Sequence, residues 1–91
     1  DDLSITGGIK ALRNRGLNIP EDISVAGYDG TNLSQMLNPR ITTVKQDTDT
    51  IGRTAARELI SEIEKPNSAF AKRVIVQGEI IPGESVGEVL I

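Results

Sequence analysis

Apolar residues recur at Ile5, Ile9 and Leu12, which lays one stripe along a helix predicted from Asp2 to Arg15. Asp2 or Ser4 can cap its N-terminus, and Gly16 stands where a left-handed C-cap belongs. Gly7 and Gly8 weaken this helix by up to about 1 kcal/mol each relative to Ala. The pair marks either a tight turn near the helix start or the close approach of a second backbone. Leu17 to Asp22 reads as a connector, because Pro20 forbids continuing the helix. Ile23 to Tyr28 follows as a first strand, short and apolar enough to lie under helices on both faces.

Asp29 to Arg40 is a polar loop with room for one helical turn around Leu33 to Leu37. Ile41 to Lys45 is a second strand, rich in β-branched residues. Asp47, Thr48, Asp49 and Thr50 offer caps for the clearest helix of the chain, predicted over Asp49 to Glu64. There Ile51, Ala55, Ala56, Leu59, Ile60 and Ile63 share one face, with Arg53, Arg57, Glu58 and Glu62 opposite. Pro66, Asn67 and Ser68 mark the loop beyond it. Arg73 to Gln77 and Glu79 to Ile81 read as extended, with Gly78 as a bend between them. Helix, strand, loop, strand, helix, strand argues for an α/β fold with a largely parallel sheet. The opening helix lacks the strand that should feed it, so the expectation is a truncated α/β fold.

Composition narrows the chemistry. The 91 residues allow one small domain, which buries only about 60% of the surface its unfolded form exposes. A net charge of −3 argues against a nucleic-acid footprint, which needs a basic face. With no Cys and no His there is neither a disulfide framework nor the usual set of metal ligands. No apolar run approaches the roughly 18 residues of a membrane span, so no membrane partner is expected. Asp1-Asp2 is the opposite of a signal peptide's basic start, and a chain opening on Asp1 reads as a piece of a longer protein. No catalytic group is assigned: a nucleophile elbow, a His base and a phosphate-binding loop are all missing. No metal or cofactor is expected either. Asp47 and Asp49 have the spacing of calcium-loop carboxylates, but the glycine and closing glutamate are absent, so they read as helix caps.

The most specific stretches are Pro20-Glu21-Asp22-Ile23-Ser24-Val25, Gly27-Tyr28-Asp29 and, after Pro39, Thr42-Thr43-Val44-Lys45-Gln46. Ala11-Leu12-Arg13, Arg15-Gly16-Leu17, Ile51-Gly52, Ala55-Ala56 and Leu59 continue the pattern. At these spacings the chain resembles the C-terminal part of the LacI/GalR family of bacterial transcription regulators. The family's regulatory domain is periplasmic-binding-protein-like, with two α/β subdomains joined by three crossovers. The resemblance implies a fragment of that two-subdomain fold with a mostly parallel sheet. Residues 1–45 would belong to the C-terminal subdomain, 46–75 would cross to the N-terminal one, and 76–91 would return and form the tail. Operator DNA would be bound only through an N-terminal region of the parent that this chain does not contain. The partners implied are a small-molecule effector, a sugar by preference, and a second copy in a homodimer, in the cytoplasm.

Asp29 leads the candidate site. An ionised carboxylate at a strand exit accepts two hydroxyl donors at once, which suits vicinal sugar hydroxyls, although Asp also caps turns there. The resemblance gives Asp29 the effector role. Gln46 closes the second strand, where its carboxamide can join a sugar hydroxyl or tie the two subdomains together. Asp1 matches a position that commonly touches effector. Tyr28 either stacks on a ligand ring or packs below the site. The resemblance places the dimer contact on the first helix and the loop before Pro39, which makes Ile5, Ile9, Leu33, Met36 and Leu37 the interface candidates, with core packing as the alternative for Ile9 and Leu12. Two other functions compete: a sugar-binding protein for uptake with the same fold, and a small α/β enzyme. The Thr42 to Gln46 signature argues against the first, and the missing catalytic groups against the second.

Overall fold

A computed structural model describes residues 1–66 and 72–88, arranged as two compact units. One unit contains Asp1–Gln46 together with the segment from Glu79 onward, and the other contains Asp47–Gly78. In the first unit, helix α1 spans Asp2–Asn14, strand β1 Ala26–Asp29, helix α2 Asn32–Met36 and strand β2 Thr42–Lys45. Helix α3, Thr48–Glu64, lies in the second unit, and strand β3, Glu79–Ile81, belongs to the first. The sheet order is β1-β2-β3. β1 and β2 run parallel with Gly27 opposite Thr43, while β3 is antiparallel to β2 with Ile81 opposite Thr43. The sheet is therefore mixed, with β2 in its middle.

Helix α1 runs unbroken through Gly7 and Gly8, and a Cβ added to either would meet nothing within 4 Å. Among the described residues neither a turn nor a close backbone approach explains the pair. The cap also differs from expectation: Asp1 accepts from the Ser4 amide at 2.7 Å, which frees Asp2 to turn inward. At the other end Gly16 has φ +75°, the left-handed geometry its position predicts.

The first strand starts three residues later than its apolar run, and it is not buried on both faces. Its residues alternate between exposed and half-buried, and Ile23 is itself exposed. Upstream of β1 the backbone is engaged elsewhere: the Val25 amide donates to the Ser85 carbonyl at 2.9 Å. Ser85 is fully buried, and its hydroxyl donates to the Val25 carbonyl and accepts from the Thr42 amide at 3.0 Å. The Gly83 amide reaches the Thr42 hydroxyl at 2.9 Å, and the Glu84 amide the Arg40 carbonyl at 2.7 Å. The stretch after Pro82 is thus a third edge to the sheet's lower end, where the sequence suggested only a tail.

Apolar burial is small. Ile9 and Ile41 are the buried hydrophobic side chains among the described residues, beside buried Asp2, Ser34, Thr43 and Ser85. In the second unit α3 is capped by Asp47, which accepts from the Thr50 amide at 3.0 Å. No α3 residue is buried; Leu59, Ile60 and Ile63 along its predicted apolar face are all more than half exposed. Lys72 pairs with Glu58 at 2.8 Å, and residues 72–78 form no strand, so the extended segment expected at Arg73 to Gln77 does not join the sheet. Asn67 and Ser68 of the expected loop lie outside the described residues.

Two glycine substitutions separate helix propensity from packing. Gly8→Ala, with open space around it, is expected to stabilise the protein by about 0.5–1 kcal/mol. Gly83→Ala would set a Cβ 2.5 Å from the Arg40 carbonyl oxygen and 2.7 Å from the Thr42 nitrogen, all rigid backbone. It is expected to cost roughly 1–3 kcal/mol. Urea titrations of the two variants should move in opposite directions.

Candidate functional site

The parallel pairing of β1 with β2 brings their carboxyl ends side by side, with Asp29 in register with Lys45. Such an end is where open α/β sheets bind ligands. Here the Gln46 carboxamide donates to Asp29 Oδ1 at 2.5 Å, and the Gln46 amide donates to the Asp29 carbonyl at 3.3 Å. Both side chains are half-buried. The two leading sequence candidates, seventeen positions apart, therefore share one hydrogen bond. Asp29 also has φ +108°, the sole positive value at a non-glycine residue among the described ones. Such a backbone costs on the order of 1–3 kcal/mol and persists only where its surroundings hold it.

Those surroundings are built around Asp2, which the sequence offers only as a helix cap, and around Thr31 and Thr43. Asp2 is 1% exposed, and its carboxylate takes three donors. The Thr31 amide and hydroxyl each reach Oδ2 at 2.8 Å, and the Thr43 hydroxyl reaches Oδ1 at 3.0 Å. The Thr43 hydroxyl in turn accepts from the Gly30 amide at 3.2 Å. Gly27 makes room for this carboxylate: a Cβ there would stand 2.5 Å from Asp2 Oδ1. Gly30, with φ +69°, lies so close beneath the Lys45 backbone and stem that a Cβ would collide with them. One signal for Asp2 was available in the sequence. Of two adjacent aspartates at a helix start, only one can cap, and the other projects roughly a quarter-turn away.

Electrostatics agree with the geometry. Burial by itself raises the Asp2 pKa, but hydrogen bonds from the Thr31 hydroxyl, the Thr31 amide and the Thr43 hydroxyl favour the carboxylate. The net result lies below the ordinary 3.8. At the exposed end of the sheet, Glu84 is lowered too, by the Arg40 amide and then the Arg40 guanidinium, which it meets at 3.0 Å.

The remaining candidates divide. Asp1 is exposed and caps α1. Tyr28 is 51% exposed, so it does not pack below the site. Ile9 is 4% exposed and belongs to the core, whereas Met36 is 79% exposed; Ile5, Leu33 and Leu37 are half-buried. Asp47 caps α3, and Asp49 pairs with Arg53 at 3.1 Å. Among the described residues no group of three or more His, Cys, Asp or Glu could hold a metal ion. Nor is any helix among them long and apolar enough to cross a membrane. A shallow depression lined by Arg13, Leu17, Asn18, Glu21 and Asn38 shares no residue with the strand exits.

The lowered Asp2 pKa sets the sign of a pH effect. Its stabilising contribution is fully present above the unfolded value and is lost as pH falls through the lower folded value. Chemical denaturation from pH 6 down to about pH 2 should show stability falling at the acid end. Asp2→Asn should be less stable at pH 6 and lose part of that acid slope.

Comparison with known proteins places this geometry. The family model described as "Periplasmic binding protein-like domain" matches residues 1–86. The probable HTH-type transcriptional repressor ExuR of Bacillus subtilis is 36% identical over 86 residues, which are 94% of this chain and 25% of the repressor. The chain thus spans about a quarter of the length of the curated relatives it matches. A complex of the transcriptional regulator CelR with cellobiose superposes with a TM-score of 0.84 at 30% identity, over 93% of this chain and 26% of that one. A LacI family transcriptional regulator from Arthrobacter, in complex with lactose, gives 0.79 at 29% identity, over 96% and 33%. The strand exits, the mixed sheet and a match along nearly the whole chain agree: this chain belongs to the periplasmic binding protein-like domain family, and its relatives are LacI-type transcriptional regulators.

Proposed function

We propose that this chain is the C-terminal part of the effector-binding domain of a LacI/GalR-type regulator, where it supplies one wall of a small-molecule site and part of a dimer contact. The observation that carries the proposal is Asp29, strained at φ +108° at a strand exit and joined to Gln46 at the neighbouring exit. In this reading Asp29 accepts from effector hydroxyls and Gln46 orients it. Asp1, exposed at the head of α1, is assigned the third contact. Cellobiose and lactose on the solved relatives support a sugar as the effector class. Residues 1–45 are assigned to one subdomain, 46–75 to the passage into the other, and 76–91 to the return. The role is binding in the cytoplasm, without catalysis, and operator DNA is contacted through a region of the parent outside this chain. That the relatives are regulators favours this reading over a protein for sugar uptake.

In the full-length protein, Asp29→Ala would leave ligand hydroxyls unpaired, which costs roughly 1–3 kcal/mol, or about 5- to 150-fold in affinity. An effector titration of operator release that superimposes on wild type would sink the assignment. The dimer contact is tested separately. Met36 is 79% exposed, next in the chain to half-buried Leu37 and on the same short helix as half-buried Leu33, and this apolar grouping supports a partner surface together with Ile5. Met36→Lys is expected to shift the molar mass from light scattering toward the monomer at micromolar concentration.

A further inference from the structure

The buried Asp2 carboxylate has a role that neither capping nor ligand contact explains. Everything it binds belongs to Thr31, just after Asp29, or to Thr43 on the neighbouring strand. The Thr31 amide reaches it directly, and the Gly30 amide reaches it through the Thr43 hydroxyl, at 3.2 and then 3.0 Å. The two peptide groups just beyond Asp29 are thus both anchored, one directly and one through Thr43, to a single side chain on α1. Thr31 sharpens the point. It stands at the N-cap of α2, yet makes no side-chain cap bond and spends its hydroxyl on Asp2 Oδ2 at 2.8 Å. A capping threonine ordinarily serves its own helix, so this hydroxyl has been diverted to the carboxylate.

We propose that Asp2 is a positioning residue for the ligand site: by clamping Gly30 and Thr31 it holds Asp29 in its positive-φ conformation and aims its carboxylate. This rests on Asp29 being the ligand-facing group. The physical logic is preorganisation. A backbone with a positive φ at a non-glycine residue relaxes unless the next peptide groups along the chain are tied down. Each bond to a charged acceptor ties more strongly than one between neutral groups, because the donor dipole is attracted to the full negative charge of the carboxylate. Gly27, which leaves the room Asp2 needs, belongs to the same device.

The test compares Thr31→Val with Thr31→Ser in the full-length protein, with Asp2→Asn as a third variant. Valine keeps the branched shape and the amide but removes the hydroxyl; serine keeps the hydroxyl. Hydrogen exchange is monitored by mass spectrometry on the peptide from Tyr28 to Leu33, against the peptide from Glu79 to Ser85, which makes no bond to Asp2 or Thr31, as an internal reference. Losing one charge-assisted bond should speed exchange of the first peptide about tenfold and leave the reference unchanged, with Thr31→Ser close to wild type. If both peptides accelerate together, or neither does, the clamp is merely structural and the proposal is overturned. Calorimetry with cellobiose and lactose adds a binding arm: for whichever binds the wild type, Thr31→Val should weaken affinity about tenfold without lowering the melting temperature in proportion. Should neither sugar bind, the exchange comparison decides alone. Asp29→Ala run alongside keeps the two readings apart. Unchanged affinity in Asp29→Ala sinks the ligand assignment, whereas affinity lost there but kept in Thr31→Val sinks the positioning role.

Discussion

A carboxylate removed from water survives only if its lone pairs are satisfied, and in this chain that constraint organises the strand exits. Asp2 is buried where α1 meets the sheet, beneath the gap left by Gly27. A charged group there without partners would cost several kcal/mol or take up a proton. Three donors from Thr31 and Thr43 prevent both, and in doing so fix α1 against β2 and against the loop after β1. The apolar core is too small to do this by itself, since Ile9 and Ile41 are its buried hydrophobic members among the described residues. Polar bonds with defined angles therefore set the geometry, where a greasier interface would have allowed sliding.

A second buried hydroxyl plays the matching part at the opposite end of the sheet. Ser85 joins the segment before β1 to the start of β2, and Gly83 allows the segment after β3 to cross the Arg40–Thr42 backbone at contact distance. With both ends of β1 and β2 held, their pairing register is specified, and Asp29 and Gln46 arrive together at one edge. The close approach of Gly30 to the Lys45 backbone has the same consequence, because any side chain at that position would push the two exits apart.

The second unit is governed by a different balance. α3 is well capped and carries an exposed Arg53–Asp49 pair one turn apart, worth a few tenths of a kcal/mol at most. Its apolar face, with Leu59, Ile60 and Ile63, is exposed, and each large side chain left in water forgoes roughly 1.5–3 kcal/mol of burial.

Local rules were enough for much of this protein. The 3.6-residue repeat of Ile5, Ile9 and Leu12 located α1, the alternation of caps and apolar stripe located α3, and β-branched Ile41 to Val44 located β2, because each signal depends on neighbours within a turn or a few residues. The exit residues Asp29 and Gln46 stood out because each closes a strand-like segment and because the LacI/GalR resemblance favours an effector role there. Distance in the chain hid the rest. Asp2, Thr31 and Thr43 lie up to 41 positions apart, and nothing in any of their neighbourhoods states that they share one buried charge. Ile23 to Val25 looked like strand by composition, but the Val25 backbone is committed to Ser85 and the Ser24 hydroxyl to Gly87, some sixty residues away, while the Ile23 amide donates to the Asn18 carbonyl. The glycines showed the same division, since Gly16 is explained by its own φ, whereas Gly27 and Gly83 are explained only by the atoms that tertiary folding brings against them. Sequence determined which segments are helix or strand and which groups stand at their exits. Tertiary structure alone decided which carboxylate would be buried, because that depends on donors from the loop after β1 and from β2 meeting an acceptor on α1.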